Sequence, residues 1–384
     1  MKITLINQYT GPLFIDVVNS FANQHHVVLI TGSISEGNTK LNTNVHVKKL
    51  IRYRRNSSLG RLCTWLFFTI QSFFYLIRSH SDHIFIVSNP PFTNFLGPFF
   101  LKFLKTPYSL LIYDLYPDVL GQLGYLKKNG WLYKLWSRVN FRIYKYATYI
   151  FTISEHMAMG IKQYLRQDCK DIFIVPPWSD NEFIKPVDKL TNPFISAHGL
   201  ENKLVILYSG NMGITHDLES VIKSAEGLKM EKQIQFLMIG DGAKRAGLEQ
   251  MVIKSKLDNV LFLPFQTVDV LPFSLSCGDI AVITLGKGAE WLSVPSKTYA
   301  MLAAGCALLI IASEDSEIAH LVKNYECGEV FEPGNVVGIT GFIKTLHMNQ
   351  SLLKKYKTNA RKASYHFTSA NTKKITDHFN PLLL

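Results

Sequence analysis

LVILYSGNMGITHDLE, residues 204–219, reads as a buried strand that ends in a glycine turn and then opens a helix. Residues 204–209 are an almost unbroken apolar run, the form a strand takes when a parallel sheet is covered on both faces. Gly210 lets the backbone close a tight turn or approach a ligand. A helix starting near His216 and Asp217 offers free N–H groups and a positive dipole end to a phosphate. One such turn supports a plain loop as readily as a binding site, because tight turns call for glycine anyway.

The plan repeats downstream. Residues 234–239 form a second apolar run ending in GDGAKR, with Gly240 and Gly242 followed by Lys244 and Arg245. Farther on, LSVPSKTYAMLAAGCALLI (residues 292–310) combines a Pro-Ser-Lys turn, a helix and a glycine stop before another buried strand. Pro295, Ser296 and Lys297 place a hydroxyl, free N–H groups and an ammonium at a helix start, which suits a diphosphate. Ligands of open α/β sheets bind outside the carboxyl ends of the strands, so three such loops are expected to converge on one site.

Working outward, strand patterns alternate with helical ones along the whole chain. Strands are expected at 3–7, 27–31, 84–88, 108–113, 149–154 and 173–175, then at 204–209, 234–239, 260–264, 280–284 and 307–311. A chain of 384 residues exceeds the roughly 250–300 at which single cores divide. The Pro-, Asn- and Asp-rich stretch 175–193 is the natural connection. The expected fold is α/β: two Rossmann-like domains facing a cleft, one over 1–180 and one over 190–363. A final helix beginning near 364 is expected to cross back to the first domain.

The net charge of +12 is unevenly placed: residues 1–190 carry 22 Lys/Arg against 11 Asp/Glu, the remainder 19 against 18. The first half is thus expected to face something anionic. Residues 62–77 (LCTWLFFTIQSFFYLI) follow Lys48, Lys49, Arg52, Arg54, Arg55 and Arg61. At 16 residues the run falls short of the ~20 a spanning helix needs. It reads either as a buried helix or as an amphipathic one lying in a membrane interface, with the basic cluster favouring the second. Residues 92–104, with Lys102 and Lys105, share that character. The cysteines (Cys63, Cys169, Cys277, Cys306 and Cys327) are scattered and odd in number, which suits a reducing compartment. The start reads as a first strand, with none of the features of a signal peptide. A cytoplasmic protein at the inner face of the membrane is expected.

The order YSGNMGITHDLE, FLMIGDGAKRAGLE, VLFLPF, VPSKTYAMLAAG and CGEVFEPGN resembles the GT-B glycosyltransferases of family 4. Within that family it is most similar to bacterial O-antigen and capsule enzymes of the L-fucosamine transferase (WbuB-like) kind. NQYTGP (7–12), SNPP (88–91), YDLYPDVLGQLG (113–124), TISEHM (152–157) and VPPWSD (175–180) extend the resemblance over nearly the whole chain. It implies a UDP-sugar donor, UDP-N-acetyl-L-fucosamine among the candidates, and a retaining transfer to a saccharide carried on polyprenyl diphosphate. No nucleic-acid partner is expected. Many members carry two glutamates eight positions apart ahead of the AMA-G stretch. Leu292 and Ala300 stand there instead, and neither Glu290 nor Glu317 is in register with that pair.

Glycosyl transfer needs a departing diphosphate to be stabilised. The resemblance implies that helix N-termini and basic side chains do this without a cofactor or an essential bound metal. No Asp-x-Asp pair and no metal-ligand spacing occurs among the carboxylates. Lys297 and Lys244 are the candidates for the diphosphate, with Gly210, Asn211, Gly240 and Gly242 giving backbone approach beside Pro295 and Ser296. Glu317 matches a glutamate common in the family's SEIAHLV-like segment and is a candidate for donor binding. On the acceptor side, Asp114 is the candidate catalytic carboxylate, and Asp118 either helps orient the acceptor or caps the next helix. Tyr9 and Gly11, just after the first strand, are expected to touch the acceptor or the transferred sugar. A sugar-nucleotide 2-epimerase and a non-catalytic sugar-nucleotide binding protein are the rival readings. A nicotinamide dehydrogenase is disfavoured, since no G-x-G-x-x-G follows the first strand.

Overall fold

The computed structural model describes residues 1–54, 57–122, 124–128, 130–166, 170–285 and 295–380. The chain divides into two compact units, Met1–Pro176 together with Ser369–Leu384, and Pro177–Thr368.

In the first unit the strands are β1 (Lys2–Ile6), β2 (Tyr9–Thr10), β3 (His26–Thr31), β4 (Ser33–Ile34), β5 (His46–Lys49), β6 (His83–Val87), β7 (Tyr108–Ile112), β8 (Ile150–Thr152) and β9 (Ile172–Ile174). Seven of them form a parallel sheet in the order β5-β3-β1-β6-β7-β8-β9, and β2 pairs with β4. The helices are α1 (Pro12–Ala22), α2 (Ser58–Arg78), α3 (Leu96–Leu104), α4 (Asp118–Gln122), α5 (Trp131–Tyr146) and α6 (Glu155–Leu165). Central strands are buried along their length, as Val/Ile/Leu/Phe runs covered on both faces should be. The strand order reverses between β1 and β6, so loops diverge there and leave a crevice at the strand ends. β5 is not among the expected strands. It lies at the sheet edge with His46, Lys48 and Lys49 exposed, and edge strands carry charge rather than an apolar signature.

α2 settles what residues 62–77 do in the fold. Trp65, Phe68, Ser72 and Leu76 are buried, while Leu62, Leu66, Ile70, Phe74 and Ile77 are exposed. Both sets recur at three- and four-residue spacing, so the helix has a packed face and an apolar outer face. No helix of the described residues is long and apolar enough to cross a membrane. Arg55, one of the six cations ahead of residues 62–77, lies outside the described residues.

The second unit contains β10 (Leu204–Ser209), β11 (Ile234–Ile239), β12 (Val260–Leu263), β13 (Ile280–Thr284), β14 (Ala307–Ile311) and β15 (Gly328–Phe331). They form one parallel sheet, β12-β11-β10-β13-β14-β15, whose order reverses between β10 and β13. Around it run α7 (Pro193–Ala197), α8 (Glu219–Gly227), α9 (Arg245–Ser255), α10 (Leu271–Ser276), α11 (Lys297–Ala303), α12 (Glu317–Tyr325), α13 (Val336–Met348) and α14 (Gln350–Ser364). A continuous core joins Ile206, Tyr208, Phe236 and Met238 of the sheet to Val221, Ile222, Phe342 and Ile343 of the helices.

The final segment is not the single helix expected from residue 364. α14 ends at Ser364, and residues from Ser369 belong to the first unit, as a 3-10 turn, a short α15 (Lys373–Thr376) and a last 3-10 turn to Phe379. Phe379 packs edge-on against Phe21, 5.0 Å between ring centroids, and against His83 at 4.9 Å. A ring pair of this geometry adds about 0.5–1.5 kcal/mol to its area burial, so a segment too short to hold itself as a helix is fixed by aromatic packing.

Candidate donor and acceptor sites

Gly210 follows β10 directly, at the point where the second sheet reverses order. Its φ of +143° lies where side chains are strained. Gly240, with φ +135°, approaches it so closely that an added Cβ would stand 2.0 Å from the Gly210 carbonyl oxygen. A Cβ at Gly242 would meet the Met212 backbone at 2.6 Å. The two turns are stitched together by Gly210 N–H to Ile239 O at 2.9 Å, Met212 N–H to Asp241 O at 2.8 Å and Lys244 N–H to Met212 O at 3.0 Å. Gly240 and Gly242 are therefore glycines because one backbone turn packs on another. That structural requirement has no sequence signature distinct from ligand approach.

Lys297 begins α11 and reaches the Gly210 turn. Its ammonium sits 3.8 Å from the centroid of the Tyr208 ring, and the space beside Gly210 is bounded by the Lys297 side chain. The Lys297 Nζ is buried and has no hydrogen-bond partner among the described residues. A cation–π contact is worth about 0.5–2 kcal/mol and satisfies none of the three N–H donors. Loss of hydration dominates, and burial pulls the lysine down to about 7. An anion arriving here would supply what the ammonium lacks.

His216 borders the same turn. Its Nδ1 donates to the Asn211 carbonyl at 2.8 Å, which makes Nδ1 the protonated ring nitrogen. The Tyr208 hydroxyl donates to that carbonyl at 2.5 Å and lies 2.9 Å from Nδ1. Burial, with the positive charges of Lys297 and Lys244 behind it, lowers His216 to about 4, so the ring is neutral at pH 7. Asn211 thus organises the turn through its backbone carbonyl.

Lys244 is placed differently from the expectation. Its ammonium donates to the His216 carbonyl at 2.7 Å and to Glu219 at 2.8 Å, so its donors brace the turn against α8. Arg245 likewise donates to the Gly240 carbonyl at 2.7 Å. Of the two candidate lysines, Lys244 has two of its three donors engaged, while Lys297 makes no hydrogen bond among the described residues. Pro295 accepts from the Thr298 N–H at 3.0 Å, and Ser296, exposed, makes no side-chain cap to α11. Glu317 is half-buried at the first position of α12, near enough to Tyr299 to help burial raise its hydroxyl. Ala300 lies within α11, while Leu292 and Glu290 lie outside the described residues.

In the first unit, Asp114 follows β7. Its backbone N–H and that of Tyr113 both donate to the Ser88 hydroxyl, at 3.3 and 2.9 Å. Loss of water raises the Asp114 carboxyl to about 6. Asp118 opens α4, and its two oxygens accept from Tyr133 of α5, at 2.6 Å, and from Tyr164 of α6. It ties three helices together, a role beyond both the acceptor contact and the helix cap expected of it. Tyr9 lies in the short β2–β4 ladder, and Gly11 is the N-cap of α1 with the Tyr9 ring alongside. Among the described residues, no group of three or more His, Cys, Asp or Glu could hold a metal ion.

Two parallel-sheet Rossmann-like units with these strand-end turns define a GT-B type fold. Across 99% of both chains it is similar to Anabaena HepE, solved in complex with UDP and glucose, with a TM-score of 0.75 and 15% identity. Residues 192–363 match the family described as Glycosyl transferases group 1, so the second unit carries a glycosyltransferase domain and the protein is a glycosyltransferase. The Pseudomonas aeruginosa protein named as glycosyltransferase WbjE is 25% identical over 300 residues, 77% of this chain and 74% of its own length. The Escherichia coli K12 protein WcaI, named as a colanic acid biosynthesis glycosyl transferase, is 36% identical over 198 residues, 50% of this chain and 47% of its own length.

Proposed function

We propose that the enzyme moves a sugar from a UDP-sugar, of the UDP-N-acetyl-L-fucosamine type, to a saccharide carried on polyprenyl diphosphate in the assembly of a surface polysaccharide. The observation that carries this reading is the buried ammonium of Lys297 over Tyr208 beside Gly210, without a hydrogen-bond partner among the described residues. As the β-phosphate departs, negative charge grows on its oxygens, and a preorganised ammonium in a dry setting stabilises that charge. Gly210 and Asn211 offer backbone approach beside it. Asp114, poised near neutrality by burial, acts on the acceptor hydroxyl. Retention of configuration and the absence of an essential metal follow from family likeness.

UDP is favoured because it is the nucleotide in the HepE complex. The polysaccharide setting rests on the colanic acid name of WcaI. Attachment to the inner face of the membrane rests on the apolar outer face of α2, which continues into exposed Phe99, Phe103 and Leu104 of α3 beside Lys102. Anionic lipid suits that surface, since Lys48, Lys49, Arg52 and Arg54 precede α2 and Arg78 ends it.

Purified protein incubated with membranes and a panel of radiolabelled UDP-, GDP- and dTDP-sugars tests the proposal. Transfer of label from one UDP-sugar into the lipid extract is expected. Epimerisation of a donor with no lipid product would replace the transferase reading with the 2-epimerase one.

A further inference from the structure

A cavity of about 840 Å3 is lined by residues of the first unit. Its walls carry Lys128, Lys134, Arg138, Arg142 and Arg166, with Asp118 as the acidic member. Lys134, Arg138 and Arg142 stand four residues apart on α5, so their side chains form one row along one helix face. Arg166 closes α6, and Lys128 precedes α5. Among the described residues none of the five is in an ion pair. The carboxylate of Asp118 is already held by the hydroxyls of Tyr133 and Tyr164.

Like charges four residues apart destabilise a helix slightly, and no acid on α5 intervenes to relieve it. A solvated basic face could carry that small cost on a convex surface. Here cations from three segments converge on a concave space whose helices are cross-tied through Asp118. The first turn of α5, where the row begins, is apolar, with Trp131, Leu132 and Leu135 exposed. Cationic walls next to an exposed apolar turn match a ligand with a phosphate head and an apolar tail.

We infer that this cavity binds the diphosphate group of a prenyl-type lipid, with the Lys134–Arg138–Arg142 row on its oxygens and Trp131, Leu132 and Leu135 on the first part of its chain. This deepens the acceptor reading given above and rests on it for the lipid. The anion site itself stands on the cavity alone. Arginine forks pair bidentately with phosphate oxygens, and removing one such charge-assisted pair should weaken affinity by about tenfold or more.

The test is titration of the full chain with inorganic pyrophosphate and with farnesyl diphosphate, in saturating UDP so that the Lys297 site is filled. Wild type is compared with Arg138→Gln/Arg142→Gln, both residues being exposed. Expected are binding of both ligands by wild type, tighter for farnesyl diphosphate, and a loss of at least about tenfold for both in the variant. UDP affinity and the melting temperature should stay unchanged. Unaltered pyrophosphate binding in the variant would overturn the site and return the row to a solvated helix face. Loss of binding only to phosphatidylglycerol vesicles, with pyrophosphate unaffected, would overturn it in favour of a general membrane contact. If sugar transfer is absent while diphosphate binding and its loss are seen, the transferase proposal fails and the site survives.

Discussion

The ammonium of Lys297 lies 3.8 Å from the centroid of the Tyr208 ring, and its proton is held more loosely than that of any solvated lysine. The sign of the linkage is fixed by its folded value of about 7 against the ordinary 10.5. Between those values the unfolded chain binds the proton and the folded chain does not, so this residue makes stability rise with pH across that window. A diphosphate bound as proposed would restore the charged form. At pH 8, UDP binding should therefore take up about one proton, measured by calorimetry in buffers of different ionisation enthalpy. Lys297→Met should abolish that uptake and weaken UDP by about tenfold or more, with thermal stability at pH 7 retained. Uptake that persists in the variant would place the proton elsewhere.

Asp114 gives the opposite signature. Its carboxyl is raised to about 6 from 3.8, so the folded chain holds a proton that the unfolded one has lost, and stability falls as pH rises between those values. If the carboxylate serves the acceptor, kcat/KM should climb with pH through an apparent pKa near 6. Asp114→Asn should remove that limb and most of the activity, yet be as stable as wild type or more so at pH 8. A variant that keeps both its rate and its acidic limb would exclude the assignment.

The paired turns allow a contrast between two glycines that both follow β11. Gly240→Ala forces a Cβ against the Gly210 carbonyl at a positive φ and should cost at least about 2–3 kcal/mol. Gly247 lies in α9 with nothing near an added Cβ, so Gly247→Ala should stabilise by about 0.5–1 kcal/mol. Chemical denaturation of the two variants reads both. Equal midpoints would mean that the turns yield and do not grip one another.

Legibility in the sequence differs between backbone and side chains. The central strands are readable because burial on both faces demands unbroken apolar runs, as in residues 204–209 and 307–311. β5 and β15 escape such a reading, since an edge strand such as His46–Lys49 is charged and short. Loop positions follow from strand ends, which is why Gly210 and Lys297 stand out. Which lysine is left without a hydrogen bond among the described residues is not readable. That depends on Glu219 reaching Lys244 across 25 residues, a contact without any local pattern. The tyrosine pair on Asp118 is hidden for the same reason, spread over three helices.

The outer face of α2 leads to a simple physical expectation. Leu66→Asp/Phe74→Asp puts charge where the helix is exposed, so the fold should be kept. Flotation with phosphatidylglycerol vesicles should disappear, because each aspartate removes apolar surface and adds repulsion from anionic lipid. Flotation equal to wild type would show that α2 is not the attachment surface.

Asp279 sits at the opposite end of the second sheet from these turns, ahead of β13. Although burial alone would raise its carboxyl, Lys357 and Lys189 hold it below the usual range, at 2.9 and 2.5 Å, and it also accepts from the Val205 N–H at 3.0 Å. Lys189 belongs to the chain just after it enters this unit, and Lys357 to the helix just before it leaves. One carboxylate thus clasps both the way in and the way out. Residues 177–368 can then be treated as a cassette with its two ends already tied off, one that could be grafted as a block onto a different first unit to exchange the glycosyltransferase domain.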